Sequence, residues 1–144
     1  MIRIYMMGFD VWRDTLDAAN YLQSCQGSKK YQAGTWFVLE SGAALLASML
    51  VYQSGYALPA NAIGFGSIAT APESRGQGFG SALIRGVLAQ HSSTSAIYLH
   101  SDIGSSFYEQ FGFVAIFETH PGTMCMVRQQ SPTSSPSPVA PRYF

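Results

Sequence analysis

One stretch limits this chain more than any other: a short apolar strand, a turn, a glycine-rich loop and a helix, all within residues 68–84. It reads Ile68-Ala69-Thr70-Ala71-Pro72-Glu73-Ser74-Arg75-Gly76-Gln77-Gly78-Phe79-Gly80-Ser81-Ala82-Leu83-Ile84. The apolar run over residues 63–70 predicts a strand, and Pro72 stops it because proline donates no ladder hydrogen bond. Gly76, Gly78 and Gly80 remove side chains where the backbone turns, so a ligand can lie on the main chain. Phe79, Leu83 and Val87 then recur at helical spacing, predicting a helix over residues 79–91. A glycine loop that opens a helix offers unpaired N–H groups and the positive end of the helix dipole. Those features suit a phosphate or pyrophosphate.

Motif spacing narrows the anion. The pattern G-x-x-x-x-G-K-[ST] is absent, and G-x-G-x-x-G fails because Gly80 comes one place too early. Gly64-Phe65-Gly66-Ser67-Ile68-Ala69 fits the G-x-G-x-x-A variant, but it runs into strand-like sequence and Pro72, not into a helix. What remains, Arg75-x-x-Gly78-x-Gly80 after a strand and before a helix, resembles the pyrophosphate loop [RQ]-x-x-G-x-[GA] of the GNAT superfamily of acyl-CoA N-acyltransferases. Downstream, Phe107-Tyr108-Glu109-Gln110-Phe111-Gly112-Phe113 resembles the superfamily's F-Y-x-x-x-G-F signature and follows a strand over residues 96–101.

The resemblance implies an α/β (α+β) fold: a mixed, mostly antiparallel twisted sheet of about six to seven strands with helices on both faces. It implies acetyl-CoA as donor and a small-molecule or peptide amine as acceptor. It places the pyrophosphate on the backbone of Gly76, Gln77, Gly78, Phe79, Gly80 and Ser81, with Arg75 opening the loop. Arg75 is read either as a phosphate partner or as a solvated loop charge. The pantetheine arm would lie along the main chain of Ile68, Ala69 and Thr70, as an added strand does. Tyr108 is the implied general acid. A free tyrosine, with a pKa of about 10, can pass a proton to a thiolate whose conjugate acid has a pKa of about 8.5. The alternative for Tyr108 is a half-buried side chain with a satisfied hydroxyl. Phe107 and Phe111, four residues apart, are read as the core face of their short helix, with Tyr108 turned away.

The general base is not legible. Relatives often carry a glutamate on the strand before the loop, yet residues 61–70 contain no acid. Glu40 and His100 stand at predicted strand ends as alternatives, and an acceptor arriving neutral needs no base. Asp102 stands near where relatives often carry an asparagine, and is also the expected N-cap of the short helix. The missing acid keeps a rival open, a domain that holds acyl-CoA without turnover. A second rival is a glycine-loop protein for another phosphorylated ligand.

At 144 residues with formal net charge zero, the chain suits one domain and gives no polyphosphate track, so nucleic acid is an unexpected partner. No apolar run approaches a membrane span or a signal peptide, and two distant cysteines, Cys25 and Cys125, read as free thiols of a cytoplasmic protein. No metal is expected, and a homodimer is left open. Residues 2–7 read as a first strand and 15–25 as a helix capped by Asp14. Trp12, in the loop between them, is either a core plug or an acceptor-pocket wall. Residues 35–40 and 43–52 read as a hairpin around Ser41-Gly42, and 113–118 and 124–128 as two more strands. The domain is expected over residues 1–128, and the Ser/Pro-rich remainder, 129–144, as a flexible tail.

Overall fold

The computed structural model describes residues 1–130 and 140–144. Six strands form one sheet in the order β1-β2-β3-β4-β6-β5. They are β1 (Thr35–Ser41), β2 (Ala44–Tyr52), β3 (Ala62–Thr70), β4 (Ala96–Ser101), β5 (Val114–His120) and β6 (Thr123–Gln129). β3 and β4 run parallel, from Ala62 opposite Ala96 to Phe65 opposite Leu99. β4 and β5 both pair antiparallel with β6, and two irregularities interrupt β5, between Ala115 and Phe117 and between Glu118 and His120. The helices are α1 (Ile2–Met6), α2 (Phe9–Trp12), α3 (Ala18–Gly27), α4 (Lys29–Gln32), α5 (Phe79–Gln90) and α6 (Ser106–Glu109). The mixed α/β sheet expected from the resemblance is present, with six strands.

The chain divides into two units, Met1–Leu50 with Ser67–Val87, and Val51–Gly66 with Leu88–Phe144. In the first unit, the stretch 2–7 holds helix α1 (Ile2–Met6) and not the expected strand. The run Ile2-Arg3-Ile4-Tyr5 suits a strand locally, but packing overrides so weak a preference. A helical turn sets Ile4 and Met7, three apart, against Leu45, Ala69 and Ala71. Tyr5 meanwhile stacks on Tyr31 at 5.6 Å and meets Trp36 edge-on at 6.0 Å. The next long helix starts at Ala18, not Thr15. Its cap is Asp17, which accepts from the Asn20 N–H at 2.9 Å, whereas Asp14 sits at φ +50° in the preceding turn. β2 is buried almost throughout from Ala47 to Tyr52. An apolar run reads this way when both faces of a strand are covered, which is why its Ala and Leu content does not make it a helix.

In the second unit Phe65 and Phe113 meet at 6.2 Å among buried Ile97, Tyr98, Leu99 and Met126. Gly112, at φ +85°, ends α6, and Arg128 donates its Nε–H to the Phe111 carbonyl at 2.8 Å. α6 is only four residues long, beginning after Ser105, whose hydroxyl donates to Glu109 at 2.6 Å. Asp102 is therefore not its cap. The Asp102 carboxylate instead accepts from Thr123 at 2.6 Å and from Tyr143 at 3.3 Å.

The tail expectation needs two corrections and leaves one part outside the described residues. β6 runs through Gln129, and Gln130 donates to the His91 carbonyl at 3.0 Å. Residues 131–139, where the Ser/Pro composition is concentrated, are not among those described. The chain end is docked: the Arg142 N–H donates to the Tyr56 carbonyl at 2.7 Å, and Phe144 is only 4% exposed. Its ring lies 5.1 Å from Tyr52, 5.7 Å from Tyr56 and 5.0 Å from His100. The space comes from Gly64, where an added Cβ would stand 2.6 Å from the Phe144 ring. A composition argument misses this because one terminal aromatic side chain buries enough surface to anchor a short segment.

Candidate functional site

The glycine loop lies wholly in the first unit. β3 reaches it through Ser67, whose φ of +47° breaks extended geometry, and the last residue in register with β4 is Phe65. Ile68, Ala69 and Thr70 follow that break and are partly buried. The Ala71 N–H donates to the Leu46 carbonyl at 2.9 Å, which fastens the strand end, and Pro72 opens a single 3₁₀ turn through Ser74.

Arg75 leaves that turn and is committed on three sides. Nη1 and Nη2 fork onto the two carboxylate oxygens of Asp10 at 2.6 and 2.8 Å, and Nε donates to the Thr70 carbonyl at 3.2 Å. The guanidinium holds the Asp10 carboxyl below its usual range, and the hydrogen-bonded carboxylate raises Arg75 in turn. Here Arg75 is neither a lone solvated charge nor a side chain waiting unpaired; it is tied to its own fold.

Gly76 and Gly78 follow at φ +75° and +83°, a region that favours glycine. A Cβ added at either would meet nothing within 4 Å, so it is the backbone angle that demands glycine, and the surface beside the loop is open. Gly80 is required for the opposite reason, since its Cβ would stand 2.9 Å from Thr70 Oγ1, where the helix start passes close to the strand end. The Gly78 carbonyl accepts the Ala82 N–H at 2.9 Å. The amides of Phe79, Gly80 and Ser81 thus belong to the first turn of α5, where no intrahelical carbonyl can take them. Gln77 turns its amide back to the Glu73 carbonyl at 3.3 Å, so its backbone and not its side chain faces the opening. Leu83, Ile84 and Val87 bury the opposite face of α5 and hold it in place. The result is a cradle of backbone donors at a helix N-terminus, suited to a phosphate.

The same unit contains a cleft of about 380 Å³ lined by Trp12, Leu16, Tyr21, Cys25 and Tyr31, with Asp14 and Lys30 among its polar groups. Trp12 is 39% exposed and folds back over Gly8, so it is a cleft wall and not a core plug. Burial pushes the Tyr31 hydroxyl above its ordinary pKa, against a hydrogen bond from Ser67 that lowers it.

Tyr108 lies in the second unit. It is buried and Phe107 is half-buried, so of the expected core pair Phe111 is buried as read, while Tyr108 and not Phe107 joins it. With α6 only one turn long, Tyr108 points inward together with Phe111 and stands 6.2 Å from Phe113. Burial, followed by the Asp102 charge, pushes its hydroxyl up to about 12, so the proton stays on at neutral pH. Of the alternative bases, Glu40 is exposed in the first unit, and His100 lies in the second beneath Tyr143, at 5.2 Å, and Phe144. Cys25 and Cys125 are both free and buried. Among the described residues no helix is long and apolar enough to cross a membrane, and no group of three or more His, Cys, Asp or Glu side chains is placed to hold a metal. Asp10 was invisible to sequence reasoning, because nothing local marks a residue whose partner stands 65 positions away.

Residues 32–115 match the family model described as acetyltransferase (GNAT) domain. Among solved structures, PH1933 from Pyrococcus horikoshii OT3 is 15% identical with a TM-score of 0.71, over 90% of this chain and 88% of that one. PaiA N-acetyltransferase from Thermoplasma acidophilum, in complex with coenzyme A, is 13% identical with a TM-score of 0.66 over 89% of each chain. A GNAT family acetyltransferase from Brucella melitensis, in complex with acetyl-CoA, is 20% identical with a TM-score of 0.61, covering 99% of this chain and 84% of that one. No curated protein sequence matches the chain significantly. The family model spans more than half of the residues, including the glycine loop and Tyr108, and the chain belongs to the acetyltransferase (GNAT) family.

Proposed function

We propose that the protein is an N-acetyltransferase that moves an acetyl group from acetyl-CoA to a primary amine. The observation that carries this reading is the loop: two left-handed glycines beside open space, leading into the unpaired first turn of α5. The amides of residues 76–81 would hold the pyrophosphate, and the main chain of Ile68, Ala69 and Thr70 would pair with the pantetheine arm. Structures of the same fold that contain coenzyme A and acetyl-CoA support the choice of donor.

In the reaction the amine nitrogen bonds to the thioester carbonyl carbon, the C–S bond breaks, nitrogen loses a proton and the sulfur gains one. Tyr108 is the proposed donor to that sulfur. Its raised pKa, about 12, keeps it protonated but widens the gap to a thiol, near 8.5. Its contribution is therefore a hydrogen bond that stabilises the departing thiolate, with full transfer completed as the product separates. The cleft beside Trp12 and Tyr31 is the proposed entry for the acceptor, which is a small molecule or a peptide.

The absence of an acid in β3 favours one other reading, acyl-CoA binding without turnover. Calorimetry with acetyl-CoA, ATP, NAD and FAD, followed by thioester consumption with a broad amine panel, tests both. Acetyl-CoA should bind in preference to the others, and at least one amine should release coenzyme A. Preference for another nucleotide would refute the donor assignment, and binding with no turnover on any amine would favour the second reading.

A further inference from the structure

The Asp10–Arg75 fork joins parts of the first unit that are far apart in sequence. Asp10 belongs to α2, outside the segment matched by the family model, while Arg75 opens the loop. The fork is bidentate at 2.6 and 2.8 Å, and the third guanidinium position reaches the Thr70 carbonyl. Thr70 in turn presents its Oγ1 where Gly80 passes closest. One side chain thus bridges α2, the end of β3 and the start of the loop, and Thr70 links that bridge to the first turn of α5.

We propose that Asp10 is a positioning residue for the cofactor loop, holding Arg75 so that residues 75–80 stand in their binding conformation before the cofactor arrives. The inference rests on the reading that this loop holds the pyrophosphate. Glycine has the most backbone freedom to lose, so an unfastened loop carrying Gly76 and Gly78 must be ordered at the moment of binding, which weakens affinity. With the fork in place the ordering has already happened on folding. The fork also offsets the Asp10 charge near an anion site. The competing possibility is that Arg75 abandons Asp10 for the phosphate. The two differ in sign: removing the Asp10 charge weakens binding if the fork positions the loop, and tightens it if Asp10 merely competes for Arg75.

The side chains are 41% and 46% exposed, so the fork contributes little to global stability and the variants should fold. Asp10→Asn, Asp10→Glu and Arg75→Lys are compared by calorimetry with acetyl-CoA and with coenzyme A, alongside amide hydrogen exchange of residues 76–81. Asp10→Asn and Arg75→Lys should each raise Kd by about three- to fivefold, since lysine cannot fork, and the double variant should be no worse than either. Asp10→Glu should recover most of the loss, with melting temperatures within about 2 °C throughout. In free Asp10→Asn the loop amides should exchange faster than in wild type, and saturation with coenzyme A should abolish the difference. With an acceptor in hand, KM for acetyl-CoA should rise at unchanged kcat. Unchanged or tighter binding by Asp10→Asn, or loop exchange equal to wild type, overturns the proposal. Wild type that binds neither ligand refutes the functional reading instead, and exchange in the free protein then still decides whether Asp10 orders the loop.

Discussion

Replacing Phe144 with alanine should destabilise the protein. The ring is 4% exposed and touches Tyr52, Tyr56 and His100. Burying a phenylalanine is worth about 1.5–3 kcal/mol, and favourable ring pairs add about 0.5–1.5 kcal/mol each. The gross contribution is therefore about 3–5 kcal/mol, the range seen for core Phe→Ala changes. Against it stands the freedom regained when a short docked segment is released, about 1–2 kcal/mol for each of two or so residues. The net loss comes to about 1–2 kcal/mol, or a fall in Tm of about 3–6 °C for a domain of this size. Gly64→Ala provides the control, because its Cβ cannot coexist with the ring at 2.6 Å. It should expel Phe144 and match Phe144→Ala, and the double variant should be no less stable than the worse single. Calorimetric melting of the three variants and of a chain ending at Gln130 is the assay. An unchanged Tm for Phe144→Ala, or losses that simply add, would mean that the chain end contributes no packing in solution.

Three further outcomes are expected. Gly78→Val combines a branched side chain with a φ of +83° and should weaken acetyl-CoA binding by about 2 kcal/mol or more in calorimetry of the folded variant; wild-type affinity would place the pyrophosphate elsewhere. Tyr108→Phe keeps the buried ring, so affinity should stay within a few-fold of wild type while single-turnover rates fall by roughly 10²-fold; an unchanged rate would remove the hydroxyl from the mechanism. Burial raises the Cys125 thiol from 9.0 to about 11, so the unfolded chain ionises first on the alkaline side. The contribution of that thiol is complete below pH 9.0 and is lost as pH rises to about 11. Melting followed through that window should show a decline that Cys125→Ala flattens, and an identical decline in the variant would contradict the assignment.

What was legible in the sequence depended on how local the cause was. Gly76, Gly78 and Gly80 could be read because each answers a constraint within the loop or one turn from it, two of angle and one of close approach. The hairpin at Gly42, φ +59°, and the stop at Gly112 were legible for the same reason. The first helix was not, because Ile4, Tyr5 and Met7 take their conformation from Leu45, Ala71, Tyr31 and Trp36, which local preference cannot see. Asp102 looked like a cap because an acid before a short helix usually is one, yet Thr123 and Tyr143 claim it. Tyr108 was identified by its motif, but its burial beside Phe113 follows from a helix one turn shorter than expected. Asp10 carried no signal, and Phe144 only that of an aromatic residue able to dock on a surface, since both act on partners elsewhere in the chain.

The interruptions in β5 bear on how the protein behaves at high concentration. Among the described residues β5 is the last strand of the sheet, and Val114, Ile116 and Phe117 are 64%, 42% and 43% exposed along it. A straight apolar border of that kind would present a regular row of free N–H and C=O groups, a template on which a foreign strand can grow. The register shifts with β6 between Ala115 and Phe117 and between Glu118 and His120 bend and twist β5, which makes that row less regular. An irregular border of this kind is a poorer template for fibre growth than a straight one would be, on the strand where the apolar side chains are exposed.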